Sequence, residues 1–189
     1  MRLEDWGTGR GTAVWLILLL VLLPTTGKLQ AQTQPATVIL VRHAERAAEP
    51  KADPPLSETG RARVQALLHV LRDAGVNVIY STSRLRNLQT ARPIGDSLRA
   101  KVVEVPIEGG KIDAYAADVV ARVRTESGGR VSLVVGHSNT FAPVIKAFGG
   151  PEIEEIADDR YDDLFVLTVQ DGKPPRLVRA KFGVPWKRE

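Results

Sequence analysis

Short apolar runs alternate with amphipathic stretches along the chain. Thr37-Val38-Ile39-Leu40-Val41 is a run of strand length rich in β-branched residues, and it predicts a strand buried on both faces. Val76 to Tyr80, Val102 to Val105 and Val131 to Val135 repeat that character. Between them lie segments of helical period. Val64, Leu67, Leu68 and Leu71 recur at i, i+3, i+4 and i+7, with Ser57 placed to cap the helix and Gly75 to end it. Ser83 is placed to cap a short helix from Arg84 to about Thr90, which Pro93 should kink or restart before it runs on to about Arg99. Tyr115 to Thr125 puts Ala116, Val119, Val120 and Val123 on one side, and Thr140 to Phe148 forms the next helix. Leu164 to Val169 and Leu177 to Phe182 flank Asp171-Gly172 and predict a hairpin.

This alternation of strands and helices predicts an α/β fold, three layers α/β/α around a mostly parallel central sheet. The chain has 189 residues, 43% of them hydrophobic and 25% charged, enough for one domain with a sizeable core. Aromatic residues make up only 5%, so Val, Leu, Ile and Ala must build the core. No second domain and no internal repeat is visible.

The amino terminus breaks the pattern. Ala13 to Leu23 is an uncharged apolar stretch of eleven residues, ended by Pro24. A spanning helix needs ~20 apolar residues, so this length suits the core of a signal peptide. Residues 1–31 are expected to be a signal peptide cut after Ala31, or an uncleaved anchor; residues 32–189 are the domain. Export to the periplasm or the medium follows from the first reading, and membrane attachment only from the second. The absence of cysteine is compatible with an oxidising compartment and excludes thiol nucleophiles, disulfides and thiolate metal sites.

The net charge is +4, without any run of five or six Lys or Arg, so no nucleic-acid partner is expected. The leader holds only Arg2, Arg10 and Lys28 against Glu4 and Asp5, so the basic balance belongs to the domain. A mild positive balance suits a phosphorylated small-molecule substrate.

Candidate chemistry sits at the strand ends. Arg42-His43 follows the first strand, Arg86 follows the second, and Gly136-His137-Ser138-Asn139 follows the fourth. In a parallel sheet these ends share one edge, where ligands gather. Arginine presents a planar fork of donors to phosphate oxygens and stays charged. A neutral imidazole can attack phosphorus, and nearby arginines favour the neutral form. The same cations argue against a metal between the histidines, and no metal or cofactor is expected.

Four motifs carry a family resemblance. Val41-Arg42-His43-Ala44-Glu45, Leu56-Ser57-Glu58-Thr59-Gly60, Tyr80-Ser81 through Arg86-Asn87-Leu88-Gln89-Thr90-Ala91, and Val135-Gly136-His137-Ser138 stand in that order from Thr37 to His137. Together they resemble the histidine phosphatase superfamily, with its phosphoglycerate-mutase-like fold, in a short bacterial form. The resemblance implies that His43 is the nucleophile, and that Arg42, Arg86, His137 and Ser138 bind the phosphoryl group. It selects Arg86 and sets Arg84 aside. It places a general acid in the loop after the third strand, where Glu108 stands; Asp113 and Glu45 remain candidates. His69 falls opposite the helix stripe and should face solvent. The acidic run Glu152 to Asp163 reads as a solvated loop, with Tyr161 as the residue to dock it.

The activity so implied is metal-independent hydrolysis of a phosphomonoester through a phosphohistidine. The alternatives are a phosphotransferase or mutase, a protein phosphohistidine phosphatase, and a non-catalytic phosphate- or phosphoglycan-binding module. Substrate and oligomeric state stay open. Intact mass spectrometry of the mature protein is expected to begin at Gln32; a mass that includes residues 1–31 would instead identify the segment as an anchor.

Overall fold

Six strands form one sheet in the order β3-β2-β4-β1-β5-β6. The computed structural model describes residues 34–126 and 129–186. The elements are β1 (Ala36–Arg42), α1 (Glu58–Leu71), β2 (Val76–Ser81), α2 (Leu85–Leu98), β3 (Lys101–Glu104), α3 (Ile112–Glu126), β4 (Val131–Gly136), α4 (Phe141–Ala147), β5 (Asp163–Val169) and β6 (Arg176–Lys181). Strands β1 to β4 are mutually parallel, and β5 and β6 extend the sheet as an antiparallel hairpin. The predicted leader lies outside the described residues. No described helix is long and apolar enough to cross a membrane.

The period of two along each strand builds the layers. From β1, Val38 and Leu40 point to one face, where they pack with Ala116, Val119 and Val123 of α3 and Val144 and Ile145 of α4. Ile39 and Val41 point to the other face, against Val64, Leu67 and Leu71 of α1 and Ile94 of α2. Covered on both sides, β1 and β4 need apolar residues at every position, which is why both read as unbroken apolar runs. The expected three-layer α/β/α architecture is therefore present. His69 is exposed, as its place on the helix implied.

Helix α1 starts as predicted: the Gly60 N–H donates to Ser57 Oγ at 3.0 Å. Helix α2 departs from the expectation. It is one continuous helix from Leu85 to Leu98 with Pro93 inside, and Ser83 does not cap it. The Leu85 N–H instead donates to both carboxylate oxygens of Asp53, at 3.2 and 3.1 Å. A cap supplied from 32 residues upstream leaves no local signature, so sequence reading assigned the role to the nearest serine.

The loop from His43 to Ser57 is held at many points. Ala47 N–H donates to Pro55 O at 2.8 Å, Ser57 N–H to Glu45 O at 2.9 Å, and Leu56 N–H to Gln89 Oε1 at 2.7 Å. Glu45 Oε1 accepts from Arg63 Nε and pairs with Arg63 Nη2, both at 2.7 Å. Arg63 also donates to the carbonyls of Phe182 and Val184. This mostly buried ion pair thus ties the loop to α1 and to the chain beyond β6.

Gly60 packs directly on that loop. A Cβ there would overlap the Glu45 carbonyl oxygen. Gly60→Ala is expected to destabilise the domain by about 1–3 kcal/mol through overpacking, measured as a lower urea midpoint at unchanged slope. An unaltered midpoint would show that the loop yields without cost.

Candidate active site

Parallel pairing puts the two strand-end histidines side by side. β1 and β4 are neighbours with Arg42 opposite Gly136, and His43 N–H donates to Gly136 O at 3.0 Å. The His43 and His137 rings then meet edge to face, with centroids 5.3 Å apart. Asn87, on the first turn of α2, donates to the carbonyls of Val135 and Gly136 at 3.1 and 3.0 Å, locking α2 to the end of β4. Thr90 completes the brace: its Oγ accepts from Ala44 N–H and donates to Arg86 O. Gly136 is required where it stands, because a Cβ would overlap Thr140 Oγ. That hydroxyl accepts the His137 N–H at 2.9 Å and sets the turn carrying the second histidine.

His43 is 2% exposed. Its Nδ1 lies 2.8 Å from Ala44 O, and a carbonyl can only accept, so Nδ1 carries the proton. Nε2 is left with a lone pair, aimed at Arg86, whose Nε–H donates to it at 3.1 Å. Burial holds the His43 imidazolium pKa down at about 2, against the pull of the Ala44 carbonyl and with the help of Arg42, His137 and Arg86. His137 is held at about 4, by burial first and then by Arg86, Arg42 and Arg84. Its Nε2 pairs with Thr82 Oγ at 3.0 Å. Two neutral imidazoles therefore sit in a cationic surround.

These residues floor a cleft of about 900 Å³. Arg42, His43, Arg86, His137 and Ser138, all nominated from sequence, line it together. Arg84, set aside on sequence grounds, lines it too, as do Arg46 and Thr82. Arg86 remains the arginine bonded to His43. The three carboxylates nominated as general acid are not among the lining residues. Glu45 is turned to Arg63, and Glu108 and Asp113 are exposed on the turn and helix beside Ile107, Gly110 and Ile112, which do line the cleft.

The acidic segment between α4 and β5 is a wall of the site, not merely a solvated loop. Arg42 Nη1 donates to Ala157 O at 3.1 Å and to Arg160 O at 3.3 Å, and Nη2 reaches Asp158 Oδ1 at 3.4 Å. The Arg42 guanidinium lies 4.2 Å from the Tyr161 ring centroid, so Tyr161 does dock the loop. At the loop's far end Asp163, 2% exposed, is neutralised by Arg179 and Lys181 on β6. Nothing local in the sequence marks these partners, since Arg42 lies 115 or more residues from them. Among the described residues no cluster of three His, Cys, Asp or Glu side chains could hold a metal ion.

Comparison with known proteins agrees with this architecture. Residues 38–107 match the profile of the histidine phosphatase superfamily (branch 1). No curated protein matches the chain in sequence. Solved structures do match in fold. The protein histidine phosphatase SixA complexed with tungstate has a TM-score of 0.61 and 15% identity, over 77% of this chain and 96% of that chain. A candidate phosphohistidine phosphatase SixA from Agrobacterium tumefaciens has a TM-score of 0.57 and 22% identity, over 79% and 98%. A mycobacterial glucosyl-3-phosphoglycerate phosphatase has a TM-score of 0.58 and 16% identity, over 76% and 97%. The fold is thus that of the phosphoglycerate-mutase-like histidine phosphatases.

The buried neutral histidines set an acid limit on stability. Their pKa values are about 2 and about 4 in the fold and ~6.5 when unfolded. Below pH ~6.5 the unfolded chain binds protons that the fold does not, so stability falls as pH falls. Between about pH 7 and about pH 5 each histidine should account for a loss of about 2 kcal/mol. Urea unfolding of His43→Gln should show a correspondingly smaller acid loss than the wild type. An equal loss in both proteins would mean that His43 takes up its proton in the folded state.

Proposed function

We propose that the protein is a phosphomonoester hydrolase of the histidine phosphatase type, working through a phosphohistidine at His43 and without a metal. The observation that carries this reading is the fixed tautomer of His43: Nδ1–H on the Ala44 carbonyl, and an unprotonated Nε2 that accepts the Arg86 Nε–H. The substrate's phosphoryl oxygens would take over the N–H groups of Arg86 and Arg42, releasing the Nε2 lone pair toward phosphorus. Nε2 forms the bond to phosphorus as the bond to the ester oxygen breaks. Arg42, Arg86, His137 and Ser138 bind the oxygens and stabilise the charge that spreads over them. Water then attacks the phosphohistidine, the P–N bond breaks, and inorganic phosphate leaves. Burial first, and then the neighbouring Arg42, His137 and Arg86, keep the resting imidazole neutral, which is the state the attack requires.

A small or exported phosphorylated molecule is the proposed substrate, in keeping with the leader expected at the amino terminus. Protein phosphohistidine is a second reading, favoured by the likeness in fold to SixA. A mutase would have to keep water from the phosphoenzyme, and the connections among the described residues are short, with no large insertion to do so.

Acid quench after incubation with a labelled aryl phosphate, followed by peptide mapping, is the direct test. The label is expected on His43, lost in acid and stable in base. His43→Ala should abolish labelling and turnover, and Arg86→Ala should lower kcat/KM by roughly 10²–10³-fold, as loss of an oxyanion donor does. Turnover in His43→Ala, or tight phosphate binding without turnover in the wild type, would exclude the hydrolase and favour a binding module.

A further inference from the structure

The proposed hydrolysis needs a proton for the leaving oxygen, and the carboxylates nominated from sequence do not line the cleft. Glu155 and Asp158 are the acids that do, among the described residues. Of these two, Asp158 is the one bonded to the proposed phosphate-binding groups. Its Oδ1 accepts from Ser138 Oγ at 2.7 Å and stands 3.4 Å from Arg42 Nη2. Its side chain is 87% exposed to solvent, in the turn at residues 158–159 ahead of β5. Resting on the reading of His43 as nucleophile, we infer that Asp158 is the general acid of this site.

Position and charge both lead there. His43 is buried, and in-line attack sends the leaving oxygen away from Nε2. Asp158 is an exposed residue of the cleft lining, on the loop whose carbonyls hold Arg42. An entering phosphoryl dianion needs the donors that Asp158 now occupies, Arg42 and Ser138. Two anions cannot share them, so the substrate displaces the carboxylate, and the proton that Asp158 carries to the leaving oxygen is drawn from solvent. As the P–O bond breaks, the carboxyl O–H passes its proton to the ester oxygen, which leaves as the neutral alcohol, and Asp158 returns to the carboxylate. In the second step that carboxylate takes a proton from the water attacking phosphorus, and the proton departs to solvent when phosphate is released. The balance closes with ester and water consumed and alcohol and phosphate formed.

The test separates acid catalysis from mere support of Arg42 by leaving group. An alkyl phosphate needs a proton on departure, whereas 4-nitrophenyl phosphate does not. Asp158→Asn is expected to lower kcat/KM for the alkyl ester ~100-fold or more, and that for the nitrophenyl ester no more than several-fold, and Asp158→Glu to restore part of the alkyl activity. Equal losses on both esters would show that Asp158 only positions Arg42, and no loss on either would leave it without a role in the reaction. A leaving-group-dependent loss in Glu155→Gln or Glu108→Gln instead would move the acid to that residue. Wild-type protein that forms no acid-labile label sinks the phosphohistidine and the acid together. A labelled wild type with an unaffected Asp158→Asn sinks the acid alone.

Discussion

The pairing of β1 with β4 is the constraint on which the site depends. With these strands parallel and adjacent, the first residues beyond each are brought together at one edge. His43 and His137 are 94 residues apart in sequence, yet their rings touch. The His43 N–H to Gly136 O bond continues the sheet pairing by one residue past the strand, so the His43 backbone is held by the same pairing as the sheet. Nothing about either histidine alone would produce this. It follows from a strand order that puts β1 and β4 in the middle of the sheet, with apolar residues sealed on both faces.

Burial at that edge has a chemical consequence. An imidazole at the surface is partly protonated near neutral pH and then cannot attack phosphorus. Here desolvation and three cationic or histidine neighbours keep His43 neutral, and the Ala44 carbonyl chooses which nitrogen is free. The cost is an unfavourable crowding of positive charge. Arg42 and Arg86 are held below their usual basicity by burial, and each has a carboxylate partner that offsets some of the repulsion: Asp158 for Arg42 and Asp53 for Arg86. Asp53 also caps α2 through Leu85, so one carboxylate both starts the helix and steadies the arginine it carries.

Much of the fold was legible because its signals are local. A strand buried on both faces must be apolar throughout, and Thr37 to Val41 says so without help from elsewhere. The stripe Val64 to Leu71 and the Ser57 cap likewise lie within one turn or two of the features they explain. Arg42, His43, Arg86 and His137 stand at strand ends that a parallel sheet brings to one edge, the family resemblance chose Arg86 and added Ser138, and the fold brings all five to one cleft. Arg84, set aside in favour of Arg86, also lines the cleft, which its motif position does not show. The acidic segment was misjudged for a deeper reason: a run such as Glu152 to Asp163 looks solvated until Arg42, Tyr161, Arg179 and Lys181 are seen around it.

The sequence by itself determined the class of fold, the edge of the sheet where chemistry gathers, and the imidazole and guanidinium groups that gather there. Tertiary structure alone decided the tautomer of His43, the union of the two histidines in one contact, and which carboxylates face the cleft. The reason is physical. Periodicity and residue type act over one turn or one strand and are written locally. Hydrogen-bond direction, burial and ion pairing depend on partners that the chain brings back from far along its length.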